Sequence, residues 1–596
     1  MPSEIRPDAD QCSAVPRQDL LPKDKGRTLE TVVMAAAVGC LIILVVLPIF
    51  SLLVSSFRGE AGLTLDNFEE AVSGRLYIRA LQNSLILGAW TGLFSLLIGL
   101  PMAWAVSRTN VPMKPLVRLT ANLSYLSPPF LTAIAFVNLF SPNAGLVNVF
   151  FRDVAGLPWL TFNIFSMAGL VLVTVMHTFP FVYLLASSAL QSVDASYEEA
   201  AQILGAGKIR TALAITMPLV TPAILAGTLL AFVNAIALFG SQAIIGLPAR
   251  IFTLPTRIYA LFDFPPQYGL ASALSLIFIL ITVAALWLQR SFLARRSYVT
   301  QGGKGARLEL IDLGGFKWVL FGLIFIIFLV SIAAPYTTLI AVSLSKSWGL
   351  DFWKGLTLDN YRFILFEYNV TQRAILNSLV LATAAATIAV LIGAILSWID
   401  LRTELPGRKL LDYAALIPLG LPGIVMAVAL IQFWLRMPLP IYGTLVILLF
   451  AYVARFIPLG VRAANAALRQ IDGSLEESAR VLGASWGTTM REVTLPLMRP
   501  GLFAGWLLVF VPVIQELSAS ILLFSSESIT LAVAVYNLYE TGATERVAAL
   551  AMINMVIISV ALWIATRLGG GGQKRSAGAG SEASTTPGTV AQSVTG

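Results

Sequence analysis

Apolar runs long enough to cross a bilayer recur along this chain, and they leave few folds open. A hydrocarbon core takes about 20 apolar residues per helix. Twelve stretches meet that length, at roughly 31–54, 81–106, 119–140, 165–189, 223–246, 270–289, 317–342, 374–399, 411–435, 443–461, 501–524 and 546–566. In lipid every backbone polar group must be bonded within its own segment, so such runs form helices. The expected fold is therefore an all-α membrane protein with about twelve transmembrane helices. Composition agrees: 57% of the residues are hydrophobic, 12% are charged and mean hydropathy is +0.81, too apolar for a soluble chain of 596 residues to cover.

Residues 1–30 form a polar N-terminal tail without the short apolar core of a signal peptide, so the first run is expected to be an uncleaved anchor. Residues 568–596, rich in Gly, Ser, Ala and Thr, predict a disordered tail. The only cysteines, Cys12 and Cys40, exclude a disulfide framework and a cysteine metal site. With the N-terminus inside, inner segments carry 27 of the 40 Lys and Arg residues, so both termini are expected in the cytoplasm. The net charge of +8 is accounted for by loops facing anionic lipid and requires no nucleic acid.

The chain repeats itself. Leu63-Thr64-Leu65-Asp66-Asn67-Phe68 matches Leu356-Thr357-Leu358-Asp359-Asn360-Tyr361, Asn83-Ser84-Leu85 matches Asn377-Ser378-Leu379, and Gly99 matches Gly393. The offset of 293–294 there falls to 278 by Pro180 and Pro458, which places about 16 additional residues in the loop around Ser141–Phe165. Six spans per half give both halves the same orientation, a parallel repeat with a path between them. The halves are read as 31–300 and 301–567, joined through the basic stretch 290–316.

Two polar islands stand at the same place in each half. Ser196-Tyr197-Glu198-Glu199-Ala200-Ala201-Gln202-Ile203-Leu204-Gly205-Ala206 recurs as Ser474-Leu475-Glu476-Glu477-Ser478-Ala479-Arg480-Val481-Leu482-Gly483-Ala484. Ser196 with Glu199, and Ser474 with Glu477, have capping-box spacing, so each island predicts a short helix. Gly205 and Gly483 would end these helices in the left-handed conformation. The alanines keep each helix slim enough to enter a groove in a partner. A second amphipathic helix is expected to run to Pro218 or Pro496, paired with Pro222 and Pro500, where the chain turns back into the membrane. Both islands fall on the inner side.

Glu199-Ala200-Ala201, then Gly205, then Ile215-Thr216-Met217-Pro218 resembles the EAA loop of ABC importer permeases. The second copy, Glu477-Ser478-Ala479, Gly483 and Val493-Thr494-Leu495-Pro496, differs by a serine for the middle alanine. The resemblance covers roughly 31–567. It implies that each loop is a coupling helix seated in a cleft of a cytoplasmic ATPase, with Glu199 and Glu477 pairing with basic groups there and Gly205 and Gly483 setting the bend. The chain has no G-x-x-x-x-G-K-[ST] motif, so ATP and Mg²⁺ would be held by a separate ATPase, expected as a homodimer. A periplasmic solute-binding protein is the other implied partner. The resemblance places the protein in a bacterial inner membrane, with no cofactor bound by this chain.

Glu516 falls inside an apolar run, where a carboxylate is costly and usually faces an interior or aqueous path. Gln515, Gln242 and Asn234 lie in the same region and, with Glu516, are candidates for lining a translocation path; a helix–helix hydrogen bond or an interfacial carboxylate is the alternative role. By the 278 offset, Leu238 replaces Glu516 in the first half. His177, the only histidine, aligns with Arg455, and a shared structural position near the end of a span is expected for both. No arrangement for catalysis and no multi-histidine metal site occurs.

Fusion of both permease halves, with Glu516-Leu517-Ser518-Ala519-Ser520-Ile521-Leu522-Leu523 and Gly246-Leu247-Pro248-Ala249-Arg250-Ile251, looks most like the ferric-iron importers. Importers of 2-aminoethylphosphonate, thiamine or polyamine are the alternatives within the class. An ion-coupled secondary transporter would share the twelve spans and parallel halves without needing duplicated cytoplasmic helices. A membrane sensor using the islands for signalling would show no flux.

Overall fold

The computed structural model describes residues 25–59, 62–294 and 310–582. Among these residues the only strands are a small hairpin, Arg58–Gly59 with Gly62–Leu63. Ten helices are long and apolar enough to span a membrane: Thr31–Ser56, Arg75–Arg108, Met167–Ser192, Ala212–Ala237, Tyr268–Phe292, Phe316–Ser343, Asn369–Arg402, Leu445–Leu468, Trp486–Ile514 and Thr544–Ile564.

The other two expected spans are broken. Lys114–Leu126 and Pro129–Phe140 meet at 101°, and Arg408–Gly420 and Gly423–Trp434 at 114°. Proline disfavours helical backbone in the residue before it and offers no N–H. Ser127 and Pro128 are accordingly extended at the first break, as is Leu421, just before Pro422, at the second.

Three further expectations are corrected. Pro218 and Pro496 do not turn the chain: continuous helix passes through both. A five-residue π turn precedes each, Ala212–Thr216 and Met490–Thr494, widening the ladder just ahead of a residue that has no donor. The final helix, Thr544–Glu582, continues past the expected start of a disordered tail at 568. Once the span has nucleated the helix, each added residue costs little even in a poor sequence. Helix also begins at Lys25, inside the expected N-terminal tail. Most of the expected junction at 290–316 lies outside the described residues, as does Cys12, while Cys40 is free and exposed.

The length difference between halves falls where expected: 26 residues separate Phe140 from Met167, and 10 separate Trp434 from Leu445. Repeat-related glycines let spans approach closely. A Cβ on Gly99 would stand 2.8 Å from the Phe179 carbonyl oxygen, and one on Gly393 would stand 2.5 Å from the Gly460 backbone.

The first span of each half packs on the other half. In the first, Ser55 donates to Gln432 at 3.0 Å, and Arg436 donates to Ser55 at 2.6 Å. In the second, the Tyr336 and Ser127 hydroxyls are 2.7 Å apart, and beyond that span Trp348 donates to the Asn138 carbonyl at 3.0 Å. The approach to the second half is also stitched to the first: Ile311 N–H donates to Arg108 O at 2.8 Å and Leu313 N–H to Asn110 Oδ1 at 3.1 Å. The halves therefore form one interlocked body. Both islands lie at one end of it, called the docking face below; the turns after Ala237 and Ile514 lie toward the opposite, far face.

Candidate functional site

The islands fold as the helices Ala195–Ile203 and Gly473–Val481. Their caps differ from expectation. Asp472, not Ser474, is the N-cap, its carboxylate accepting Ser474 N–H at 3.0 Å; Asp194 accepts Ser196 N–H at 2.9 Å in the first copy. An aspartate caps as well as a serine and adds a negative charge at the positive end of the helix, so each helix starts earlier than the serine spacing implied. These bonds from Ser196 and Ser474 hold both aspartates below the ordinary carboxylate range. Gly205 and Gly483 do end the helices in the left-handed region, at φ 83° and 86°. Ala206 N–H reaches back to Ala201 O at 2.9 Å and Ala484 N–H to Ala479 O at 3.0 Å.

Each helix presents an apolar tip: Ile203 and Leu204 are 86% and 87% exposed, Val481 and Leu482 likewise 86% and 87%. Glu477 and Ser478 are exposed beside the second tip, and Glu199 holds the matching backbone position in the first helix. Ala200 is exposed, whereas Ala201 is buried and Ala479 half-buried against the body.

The preceding glutamate of each pair, which sequence reasoning passed over, fastens the helix to the body. Glu198 accepts Thr216 Oγ1 at 2.7 Å and pairs with Arg108 at 3.2 Å. Glu476 accepts Thr494 Oγ1 at 3.0 Å and pairs with Arg402 at 3.6 Å. Each arginine also caps carbonyls ending the preceding span: Arg108 donates to Leu190 O at 2.7 Å and Arg402 to Ile471 O at 2.6 Å. Each threonine closes its π turn. The clamp thus links four elements: the docking helix, the spans just before and just after it, and the earlier span that ends at Arg108 or Arg402. Its signal was in the sequence, since Glu198/Glu476 and Thr216/Thr494 are 278 apart and Arg108/Arg402 are 294 apart, the same offsets as the repeat.

In the interior, Arg455 Nη1 lies 3.1 Å from Glu516 Oε1, whose carboxylate also accepts Ala519 N–H at 2.9 Å. The guanidinium lies over Gly423, in the place a Cβ would take, so the ion pair sits at the break of the second bent pair. His177 takes the matching position at the first break, beside the backbone of Ser124 and Ser127. His177 and Arg455 do share a structural position, but inside their spans Met167–Ser192 and Leu445–Leu468 and against a helix break, not near a span end as expected. The four candidate path residues are all bonded within the protein: Glu516 to Arg455, Gln515 to Leu126 O at 2.8 Å across the halves, Asn234 to Leu230 O at 2.9 Å, and Gln242 to Ala235 O at 2.8 Å and to Thr253. The turns after Ala237 and Ile514 meet each other: a Cβ on Gly240 would stand 3.0 Å from Leu517 Cδ2. Phe239 and Leu517, adjacent to the repeat-related Leu238 and Glu516, are both buried there.

Two fused helical halves, each carrying a clamped helix with an exposed apolar tip on one face, define the membrane subunit of a transporter that works with a separate motor. Residues 95–298 and 389–570 match the binding-protein-dependent transport system inner membrane component, and the chain belongs to that family. It is thus an ABC transporter permease with two permease halves, a multi-pass protein of a bacterial inner membrane, and not an enzyme. It is 26% identical over 506 residues to the ferric transport system permease protein FbpB of Actinobacillus pleuropneumoniae, a match covering 84% of this chain and 72% of that one. It is 25% identical to the Fe(3+)-transport system permease protein FbpB 2 of Haemophilus influenzae, covering 64% and 73%. The molybdenum transport system permease protein ModB of Escherichia coli is 32% identical over 219 residues, 36% of this chain and 93% of that one.

Proposed function

We propose that this chain is the permease of an ATP-driven, binding-protein-dependent importer of ferric iron. A dimeric ATPase docks on Ile203–Leu204 and Val481–Leu482 and holds ATP and Mg²⁺, the permease binding no cofactor. Glu199 and Glu477 pair with basic groups of that partner, with Ala200 and Ser478 shaping the contact while Ala201 and Ala479 let each helix lie close on the body. Both termini lie in the cytoplasm with the docking face, and a solute-binding protein delivers iron at the far face. The supporting observation is the pair of equivalent apolar tips, each more than four-fifths exposed yet held in place by an ionic clamp. Large apolar groups in such a setting mark a protein contact. The iron assignment draws on the similarity to two ferric permeases, each matched over most of its length.

The test is uptake of radiolabelled ferric iron by inside-defined vesicles carrying the complete complex, with E199R/E477R as the variant. ATP-dependent uptake that is lost in the variant, together with loss of the co-purifying ATPase and unchanged membrane insertion, is expected. Normal transport in the variant removes the coupling assignment. Uptake driven by an ion gradient alone makes the protein a secondary transporter, and uptake of a phosphonate, thiamine or polyamine in place of iron reassigns the solute.

A further inference from the structure

The far face holds a cavity between the halves that the docking scheme leaves without a role. Its volume is about 550 Å³, within the range of small-molecule sites. One wall is Ile134, Val137 and Asn138 with Ala243, Leu247 and Pro248 from the first half; the other is Tyr536, Tyr539, Glu540 and Thr544 from the second. Tyr536, Tyr539 and Glu540 are the last residues of the helix Leu531–Glu540, where the 3.6-residue period brings positions 536 and 540 onto one face. Tyr536 is hydrogen-bonded to Glu540, and Tyr539 donates to Ile244 O at 3.3 Å, which fixes both phenols.

The opposing half repeats part of this chemistry. Leu254 N–H is bonded to Ser84 and Leu531 N–H to Ser378, so Leu254–Ala260 is the counterpart of Leu531–Glu540 at an offset of 277. Tyr259 and Asp263 therefore correspond to Tyr536 and Glu540. Phe239 separates the two tyrosines, its ring centroid 5.1 Å from Tyr259 and 6.1 Å from Tyr536. The cavity thus lies beside the meeting point of the two halves, next to the contact of Gly240 with Leu517.

Its described lining includes no lysine or arginine. Its polar groups are hard oxygen donors: two phenols, a carboxylate, an amide and a hydroxyl. A trivalent hard cation gains most from phenolate oxygen and is acidic enough to displace the proton.

We propose that Tyr536, Tyr539 and Glu540 form a receiving site that coordinates ferric iron at the far face before it passes between the halves. Tyr536 passes its proton to Glu540, which already accepts its hydrogen bond and hands the proton on to water, and Tyr539 gives up its bond to Ile244 O and loses its proton to water in the cavity; each phenolate then replaces one ligand that the iron carries on arrival, and Glu540 binds through its carboxylate. The iron stays ferric throughout. Asn138 and Thr544 complete the wall, and the remaining volume holds water or a small co-ligand. This inference rests on the iron reading above.

The test uses the intact complex in nanodiscs titrated with ferric nitrilotriacetate, read by the visible phenolate-to-iron charge-transfer band. The wild type is expected to show the band, Y536F/Y539F to lose it, and E540Q to need about tenfold or more iron for half-saturation. The Tyr→Phe changes keep ring packing, and basal ATPase activity of each variant reports an intact complex. A wild-type complex that imports iron without the band, or a band that persists in Y536F/Y539F, overturns the site while leaving the iron reading standing. A wild type that imports no iron overturns both.

Discussion

The two halves agree at the docking face and disagree in the middle of the membrane. Arg108–Glu198–Thr216 and Arg402–Glu476–Thr494 hold the two docking helices with the same bonds to the same elements. At the helix breaks, by contrast, the first half places a neutral pair of positions, His177 and Leu238, where the second places the ion pair of Arg455 and Glu516. On the proposed reading, a motor that pushes both helices requires equal stiffness at both, which a duplicated clamp supplies. The interior faces no such demand, and one half alone carries the charge. The comparison separates what the repeat needs in both halves from what it has been free to vary.

The sharpest way to break this comparison is R455L. It leaves the Glu516 carboxylate buried with only the Ala519 amide as partner, and removing one member of a buried pair costs about 3–5 kcal/mol. The double variant R455L/E516L should recover most of that loss, because no unpaired charge remains. H177L, at the matching break, removes only neutral hydrogen bonding and should cost about 1 kcal/mol. Thermal inactivation of the purified protein ranks the three. Equal losses for R455L and H177L would mean that the ion pair is not what distinguishes the halves.

The clamps test the other side of the comparison. E198A and E476A each remove an ion pair and a threonine bond, with an expected loss of about 1–3 kcal/mol in how firmly the helix is held. Uptake per ATP hydrolysed should fall in both variants, and by similar factors. R108A should exceed R402A, since the Arg108 side chain is 2% exposed and Arg402 is 21% exposed. Uptake and ATPase activity measured together in proteoliposomes separate loosened coupling from loss of the complex. An effect confined to one half would show that the two clamps, though alike in geometry, do not share the work.

Much of this was legible in the chain because it depends on local rules. Apolar length located the spans, and the repeat offset located the 16-residue difference between the loops. The need for a left-handed residue located the ends of the docking helices at Gly205 and Gly483. The misses are tertiary. Whether a proline breaks a helix depends on what its surroundings can absorb: Pro128 and Pro422 bend the chain sharply, whereas π turns carry it straight through Pro218 and Pro496. Glu198 and Glu476 look like solvated members of a polar island until the fold brings Arg108 and Arg402 beneath them. Asp194 and Asp472 were hidden by serines two residues later, whose spacing also fits a cap.

Those two aspartates give the smallest expected effect and the finest probe of equivalence. Each carboxyl titrates below its ordinary range because it accepts bonds from the serine that follows. A depressed folded value means that the cap contributes above the unfolded carboxylate range and is lost as pH falls through the folded value. Acidification should therefore fray the first turn of both docking helices over the same interval, before the spans respond. Hydrogen exchange of the amides in 195–203 and 473–481, corrected for its intrinsic pH dependence, measures this directly. D194N and D472N keep a capping side chain but remove the titration, so their exchange should stay flat across that interval. Fraying in one helix at a clearly higher pH than in the other would show that the surroundings of the two docking helices differ electrostatically, despite caps built from the same residues.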